Sequence, residues 1–158
     1  MNRINTILNN QKFCKYLQKI SQIEKRREFC KHDMCHLLDV ARIAYIMVLE
    51  NNIQIKKETI YVAALLHDIR KWVQYEKGVA HELASAKLAE DILIECGFME
   101  DEILQILNII LNHRKKDTNN LINSIFYSSD KISRNCFRCK AISKCNWPEK
   151  KKNYNIKY

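Results

Sequence analysis

Apolar residues recur at steps of three and four along most of the chain, which is the spacing of an amphipathic helix. In the first such stretch the residues of one face are Phe13, Tyr16, Leu17, Ile20 and Ile23. A basic run, EKRREFCKHD, interrupts the pattern, which then resumes in five further segments. We predict helices at about residues 34–50, 58–71, 81–97, 101–113 and 121–134.

The chain is poor in the residues that make turns between strands. It contains two glycines and one proline in 158 residues, and a fold rich in sheet needs more of both. We therefore predict an all-α fold, a single bundle of about six to seven helices that ends near residue 135. The remaining residues, 136–158, are predicted to form a short irregular segment, rich in cysteine and basic residues, that packs on the bundle.

Most of the positive charge lies near the end of the chain. The formal net charge is +9, and from Arg134 onwards there are eight Lys or Arg residues against a single acid, Glu149. A basic tail of this kind keeps a protein in solution or borders an anionic site more often than it recognises a nucleic acid sequence. Nucleic acid is thus a possible partner but not the favoured one. No apolar run approaches the ~18 residues of a membrane span, and there is no secretory signal, so we expect a cytoplasmic protein that does not contact membranes.

Ionisable residues lie on the apolar faces of four predicted helices, each near a helix end. His36 precedes Val40 by four residues, and His67 follows Ala64 by three. His113 follows Ile110 by three, and Asp130 follows Phe126 by four. One inward histidine is usually a hydrogen-bonded core residue, but several that converge must all find partners in the interior. A metal centre satisfies them together, because imidazole and carboxylate groups are ligands of zinc, iron and manganese.

Five segments resemble the HD-domain superfamily of metal-dependent phosphohydrolases. They are HLLDVARIA, ALLHDIRKW, HELASAKLAEDIL, IILNHRK and SSDKISR, and together they span about residues 30–134. The resemblance implies an HD-type helical domain over residues 1–135, with its core at residues 30–134. It also implies a core metal site made by His36, His67, Asp68 and Asp130.

His81 and His113 match the extra positions of a six-ligand subgroup, in which the doublet aspartate bridges two metals. The resemblance therefore implies two divalent ions of Fe, Mn, Co, Ni or Mg, bridged here by Asp68. The subgroup includes diadenosine-tetraphosphate hydrolases, cyclic-dinucleotide phosphodiesterases and a few di-iron oxygenases. One position departs from the family pattern, since Arg70 stands where the family usually has glycine, between the His-Asp doublet and Lys71.

The predicted function is hydrolysis of a nucleotide or another small phosphorylated compound by a metal-activated hydroxide. Asp68 and Lys71 are the predicted catalytic residues, and the candidate phosphate-binding cations are Lys71, Arg70, Arg114 and Lys131, with Lys115 as a weaker one. Two alternatives remain open, a di-iron oxygenase and a nucleotide- or RNA-binding module with reduced catalysis. The protein is expected to be a monomer or a homodimer.

A second His-Asp doublet, His32 and Asp33, lies in a polar turn with no apolar run before it. We interpret Asp33 as the N-cap of the helix that follows, rather than as part of the metal doublet.

Three cysteines of the final segment have the spacing C-x2-C-x5-C, at Cys136, Cys139 and Cys145. Together with Cys30, or with Cys35 as the second choice, they make up four ligands for zinc or a [4Fe–4S] cluster. The spacing resembles the iron–sulfur staple of some nucleases. The alternative is that these cysteines are free thiols, because the cytosol disfavours disulfides. A bound metal would hold the final segment against the bundle.

Overall fold

The computed structural model describes residues 2–116 and 118–158, and within these ranges the chain is helical, with no strand. The helices are α1 (Asn2–Leu8), α2 (Gln11–Ile23), α3 (Met34–Glu50), α4 (Lys57–Leu66), α5 (Lys71–Lys77), α6 (His81–Glu95), α7 (Glu100–Asn112) and α8 (Leu121–Ile132). Three short 3-10 turns follow, at Cys136–Arg138, Ile142–Lys144 and Glu149–Lys151. The predicted all-α fold is confirmed.

Helix α4 is the centre of the bundle. Nearly all of its residues from Thr59 to Leu66 are buried, and it packs against α3, α7 and α1. A helix that is apolar all round can only lie in an interior. The residues that follow it, His67 and Asp68, are therefore delivered to the middle of the protein, with exposures of 0% and 4%.

The helix predicted at residues 58–71 is in fact divided. Helix α4 ends at Leu66, residues 67–70 form a turn, and α5 begins at Lys71. Within the turn the Ile69 amide donates to the Leu66 carbonyl and the Lys71 amide to the Asp68 carbonyl, at 3.3 and 2.8 Å. Successive side chains of a continuous helix diverge by about 100°, and the turn instead allows both His67 and Asp68 to face the same site.

Helix α1 has no counterpart in the predicted pattern, which begins at Phe13. Its apolar residues are few, but Ile4 and Ile7 are buried against the main core. Arg3 joins it to the bundle, since its guanidinium donates to the Glu58 carboxylate of α4 and to the Glu102 carboxylate of α7. These long-range contacts stabilise a helix that would be too short to form alone.

Asp33 caps a helix as the sequence predicts, and a glycine ends another helix. The Asp33 side chain accepts a hydrogen bond from the His36 amide at 3.1 Å, so Asp33 is the N-cap of α3. Gly97 follows α6 with a φ of 73°, and the Phe98 amide donates to the Leu93 carbonyl. That left-handed position favours glycine because it has no Cβ.

The segment after α8 is attached to the end of that helix by Asn153, which is buried. The side-chain amide of Asn153 donates to the backbone carbonyls of Lys131 and Arg134, at 2.7 and 3.0 Å. The backbone carbonyl of Asn153 accepts a hydrogen bond from the Phe137 amide. The segment thereby lies close to Asp130. Within the described residues, none of the helices combines the length and apolar character that crossing a bilayer requires.

Candidate metal centre

Six side chains that the sequence singles out meet in the interior, each at or near the end of a helix. His36 lies in the first turn of α3 and His67 and Asp68 follow α4. His81 begins α6, His113 follows α7, and Asp130 lies in the last turn of α8. All six are buried: His36, His67, Asp68, His81, His113 and Asp130. Their ligand atoms form two groups that share Asp68, and within each group all atoms lie within 4.8 Å of one another.

The first group consists of His36, His67, Asp68 and Asp130. Asp68 Oδ2 lies 3.2 Å from His67 Nε2 and 3.8 Å from His36 Nε2. Asp130 Oδ1 lies 3.9 Å from His67 Nε2 and 3.4 Å from His36 Nε2. Two imidazole nitrogens and two carboxylates therefore face a common point.

The second group consists of Asp68, His81 and His113. The other carboxylate oxygen of Asp68, Oδ1, lies 2.9 Å from His81 Nε2 and 3.8 Å from His113 Nε2. Asp68 therefore presents one oxygen to each group, which is the arrangement of a carboxylate that bridges two ions.

The hydrogen bonds of the histidines leave one nitrogen of each directed at the site. The Nδ1 atoms of His67 and His113 donate to the carbonyls of Ala64 and Ile110, at 2.8 and 2.6 Å. His81 Nδ1 donates to Gln74 Oε1 at 2.7 Å. His36 Nδ1 is bonded in the same way, to the hydroxyl of Ser133 at 3.1 Å. With Nδ1 protonated, each Nε2 carries a lone pair, and such outer partners are typical of metal-binding histidines.

Several of these atoms have no satisfactory partner in the protein alone. His67 Nε2 and Asp68 Oδ1 are buried without a hydrogen bond. His81 Nε2 and His113 Nε2 lie 3.0 Å apart, and two lone pairs at that distance repel unless a cation or a proton lies between them. Buried polar atoms are almost always satisfied. Divalent cations fit these residues, because they accept lone pairs from all of them at once.

The protonation states also suit metal binding. Burial alone would raise the pKa of Asp68 and of Asp130, but the neighbouring histidines and cations hold both pKa values well below the ordinary one. Burial lowers the pKa of His113 to about 4. At neutral pH the site thus offers ionised carboxylates and, at His113, a neutral imidazole, the forms that bind metal. Burial alone would lower the pKa of His67, but Asp68 and Asp130 raise it, so metal has to displace a proton there.

A cavity of about 690 Å³ opens beside these ligands. Asp68, His81, His113 and Asp130 border it, and so do six cationic side chains, those of Arg27, Lys71, Arg114, Lys131, Arg134 and Lys144. Among the described residues, the acidic ones in its wall are Asp68 and Asp130. With divalent ions bound to these aspartates, the wall would carry a net positive charge and suit an anionic molecule.

The structure places three of the predicted phosphate-binding cations at this cavity. Lys71 is half-buried, with Nζ 3.2 Å from His81 Nδ1, and burial lowers its pKa. Lys131 contacts Asp130 Oδ2, and Arg114 pairs with the Glu82 carboxylate at 3.3 Å. Lys115 is exposed and does not border the cavity.

Arg70 is not brought to the cavity. Its guanidinium carbon lies 6.0 Å from the ring centroid of Tyr16 and 5.5 Å from that of Trp72, so it packs on an aromatic pair between α2 and α5. The turn at residues 67–70 directs the Arg70 side chain away from the side that His67 and Asp68 face.

Two features of the site are absent from the sequence pattern. The first is a chain of hydrogen bonds that runs from the half-exposed Tyr75 to the buried His32. The Glu24 carboxylate accepts from the Tyr75 hydroxyl and from His32 Nδ1, each at 2.6 Å, and His32 Nε2 lies 3.7 Å from Asp68 Oδ2. His32 borders the cavity but belongs to neither ligand group. One hint in the sequence is that His32 precedes His36 by four residues.

The second feature is Arg134, a buried cation that sequence reasoning counted only as part of the basic tail. Its Nη2 lies 3.0 Å from His36 Nε2 and 3.4 Å from Asp130 Oδ1, and its Nη1 donates to the Lys31 carbonyl at 3.0 Å. No sequence signal distinguishes it from the other basic residues nearby.

The four candidate cysteine ligands also border the cavity, at Cys30, Cys136, Cys139 and Cys145. Cys136 is buried and the other three are half-buried. Cys35, the second choice, is exposed and borders a different cavity.

Comparison with known proteins gives two matches. The family model described as HD domain matches residues 34–142. A protein of Clostridium beijerinckii, described as an uncharacterized protein, is 45% identical over 158 residues, covering 100% of both chains. No solved structure gives a significant match.

Proposed function

This chain belongs to the HD-domain family, and from that premise we propose that it hydrolyses a small phosphorylated compound, most favourably a nucleotide. HD-domain proteins are generally metal-dependent hydrolases that bind divalent ions. The buried histidines and aspartates of this chain are suited to hold such ions.

The observation that carries the proposal is the position of Asp68 between two ligand groups, at the wall of a cavity lined by six cations. Two divalent ions bring +4, and Asp68 with Asp130 bring −2, so the filled site retains about +2. A site of that charge, with lysine and arginine around it, attracts phosphate rather than a neutral molecule.

The metal and the protein side chains have separate roles in this proposal. Bound divalent ions polarise a phosphoryl group and lower the pKa of water towards neutrality. Lys71, Lys131 and Arg114 bind the phosphate oxygens and orient the phosphoryl group. The Glu24 carboxylate accepts a hydrogen bond from the Nδ1–H group of His32. The other ring nitrogen, His32 Nε2, is then free to accept a hydrogen bond from water or substrate in the cavity.

The cavity suits a nucleotide in size and in composition. Its volume of about 690 Å³ is within the range of small-molecule sites, roughly 300–1,000 Å³. Three aromatic side chains, those of Phe29, Tyr75 and Trp147, form part of its wall. Aromatic rings stack on nucleobases, whereas the cations bind the phosphates.

A di-iron oxygenase would use the same six ligands. The six cations of the cavity favour phosphate over that chemistry, but imidazole-rich sites bind iron well. The two activities separate in one assay, because an oxygenase consumes dioxygen whereas a hydrolase does not.

A binding module for RNA would depend on the basic tail. In the structure Arg134 and Lys144, two of that tail's cations, border the cavity. This position favours a small anionic ligand over an extended nucleic acid.

The test is a screen of nucleotides, dinucleotides and simple phosphoesters with manganese, iron, cobalt and nickel, monitored by chromatography of the products, by phosphate release and by oxygen uptake. We expect turnover of at least one substrate class. His67→Ala and Asp68→Ala should abolish it, since each removes a ligand. Lys115→Ala, an exposed change outside the cavity, should leave it unchanged.

Full activity in the His67→Ala and Asp68→Ala variants would contradict the site assignment. Oxygen uptake without phosphate release would replace the hydrolase by the oxygenase.

A further inference from the structure

The wall of the metal cavity contains four cysteines from two distant parts of the chain. Cys30 lies between α2 and α3, whereas Cys136, Cys139 and Cys145 follow α8. We propose that these four cysteines bind a [4Fe–4S] cluster, which forms part of the wall of the cavity that holds the His–Asp site.

The backbone after α8 folds into consecutive tight turns that bring three of the cysteines together. The Cys139 amide donates to the Cys136 carbonyl, and the Ile142 amide donates to the Cys139 carbonyl. The Cys145 amide then donates to the Ile142 carbonyl at 3.3 Å. Since each turn advances the chain only slightly, the three thiols stay in one small region.

Cys30 is brought to the same region by arginines. Arg27 Nε donates to the Cys30 carbonyl at 2.9 Å, and Arg134 Nη1 donates to the next carbonyl, that of Lys31. Burial raises the pKa of the Cys30 thiol and Arg134 opposes this, while the nearby thiols of Cys136 and Cys139 raise the pKa further. All four are free thiols.

The separation of the thiols favours a cluster over one metal ion. Zinc–sulfur bonds of about 2.3 Å in a tetrahedron place the sulfurs about 3.8 Å apart. Among the described residues, no three of these sulfurs lie within 4.8 Å of one another. A cubane of four iron and four sulfide ions separates its cysteine ligands more widely than a single zinc ion does. The four cysteines of this chain border a common cavity.

The charge of the surroundings is complementary to such a cluster. Four thiolates around an oxidised [4Fe–4S] core carry a net charge of about −2. Arg27, Arg134 and Lys144 border the same cavity, so cationic side chains lie on the side where the cluster would bind. Arg134 contacts His36 and Asp130 on one side and the Lys31 carbonyl on the other, so it lies between the two proposed centres.

The cluster would join the C-terminal segment to the connection between α2 and α3. The part of the segment that borders the cavity includes Cys139, Ile142 and Trp147, which are otherwise held by short 3-10 turns and by the attachment through Asn153. Loss of the cluster should therefore loosen the segment but leave the helical bundle intact.

The experiment is to purify the full chain without oxygen, reconstitute it with iron and sulfide, and measure iron, acid-labile sulfide, visible absorption and the electron paramagnetic resonance of the reduced protein. We expect about four sulfide ions per chain. Cys139→Ser and Cys145→Ser should lose sulfide while keeping the far-ultraviolet circular dichroism of the parent.

Two controls keep this result separate from the His–Asp site. Cys35→Ser alters an exposed cysteine that does not border the main cavity and should retain full sulfide content. His67→Ala should lose divalent metal but retain sulfide. Parent protein that binds no sulfide, or that binds one zinc ion at these thiols instead, would overturn the proposal.

Discussion

Removal of divalent metal should destabilise this fold, because the ligand atoms are buried and lack other partners. His67 Nε2 and Asp68 Oδ1 have no hydrogen bond, and the Nε2 atoms of His81 and His113 lie 3.0 Å apart. Each buried polar atom without a partner costs ~1–3 kcal/mol. The two atoms without a hydrogen bond thus represent roughly 2–6 kcal/mol that coordination can recover.

The expected change in melting temperature follows from mass action. A metal present at a hundred times its dissociation constant stabilises the folded state by ~2.7 kcal/mol, which lies within that range. In a chain of this length, 1 kcal/mol moves the midpoint by roughly 2–4 °C. We therefore expect an increase of roughly 5–10 °C when manganese or iron is added to chelated protein.

The assay is thermal unfolding followed by circular dichroism, with chelator and then with added metal. In His67→Ala the same addition should move the midpoint far less, since one ligand group has lost a nitrogen. The cysteines are unchanged in both proteins, so the difference between them belongs to the His–Asp site. Equal midpoints with and without metal in the parent would refute the reasoning.

Three further predictions concern residues around the site. Lys71→Met should lower kcat/KM for a phosphorylated substrate by about 10- to 100-fold, the value of a hydrogen bond to a charged group, whereas Lys115→Met should not; equal effects would remove Lys71 from the phosphate site. Burial alone would raise the pKa of Glu24, but hydrogen bonds from His32 and Tyr75 lower it to about 2, below its ordinary value of 4.5. The ionised carboxylate therefore stabilises the fold above pH 4.5, and this stabilisation is lost as the pH falls towards 2. The contribution to the free energy of unfolding is on the order of 3 kcal/mol. In urea titrations the parent should be more stable than Glu24→Gln at pH 4.5, and this difference should shrink as the pH falls towards 2; a difference that stays constant would contradict the prediction. Asn153→Ala should lower the free energy of unfolding by roughly 1–3 kcal/mol in urea titrations, because it leaves buried carbonyls at the end of α8 without a donor; an unchanged value would mean that water replaces the amide.

Much of the metal site was predictable because a helix repeats every 3.6 residues. Ala64 and His67, Ile110 and His113, and Phe126 and Asp130 are pairs three or four apart, so the burial of one predicts the burial of the other. That local relation identifies which side chains point inward. The resemblance to a known family then assigned them to ligand positions, and the structure brings those positions together.

Other parts of the site depend on contacts between residues far apart in sequence. Arg134 reaches His36 across 98 positions, and Tyr75 reaches Glu24 across 51. Periodicity carries no information about which helix end lies opposite another, because that depends on packing angles and loop paths.

Arg70 also separates what the sequence determines from what the tertiary structure determines. The sequence by itself determined that an arginine replaces the glycine usual at this position of the family. Only the tertiary structure decided that Arg70 packs outside the cavity. The turn at residues 67–70 and the nearby rings of Tyr16 and Trp72 set the direction of its side chain. Local spacing is set by backbone geometry that every helix shares, whereas the surroundings of a side chain are set by the whole packed chain.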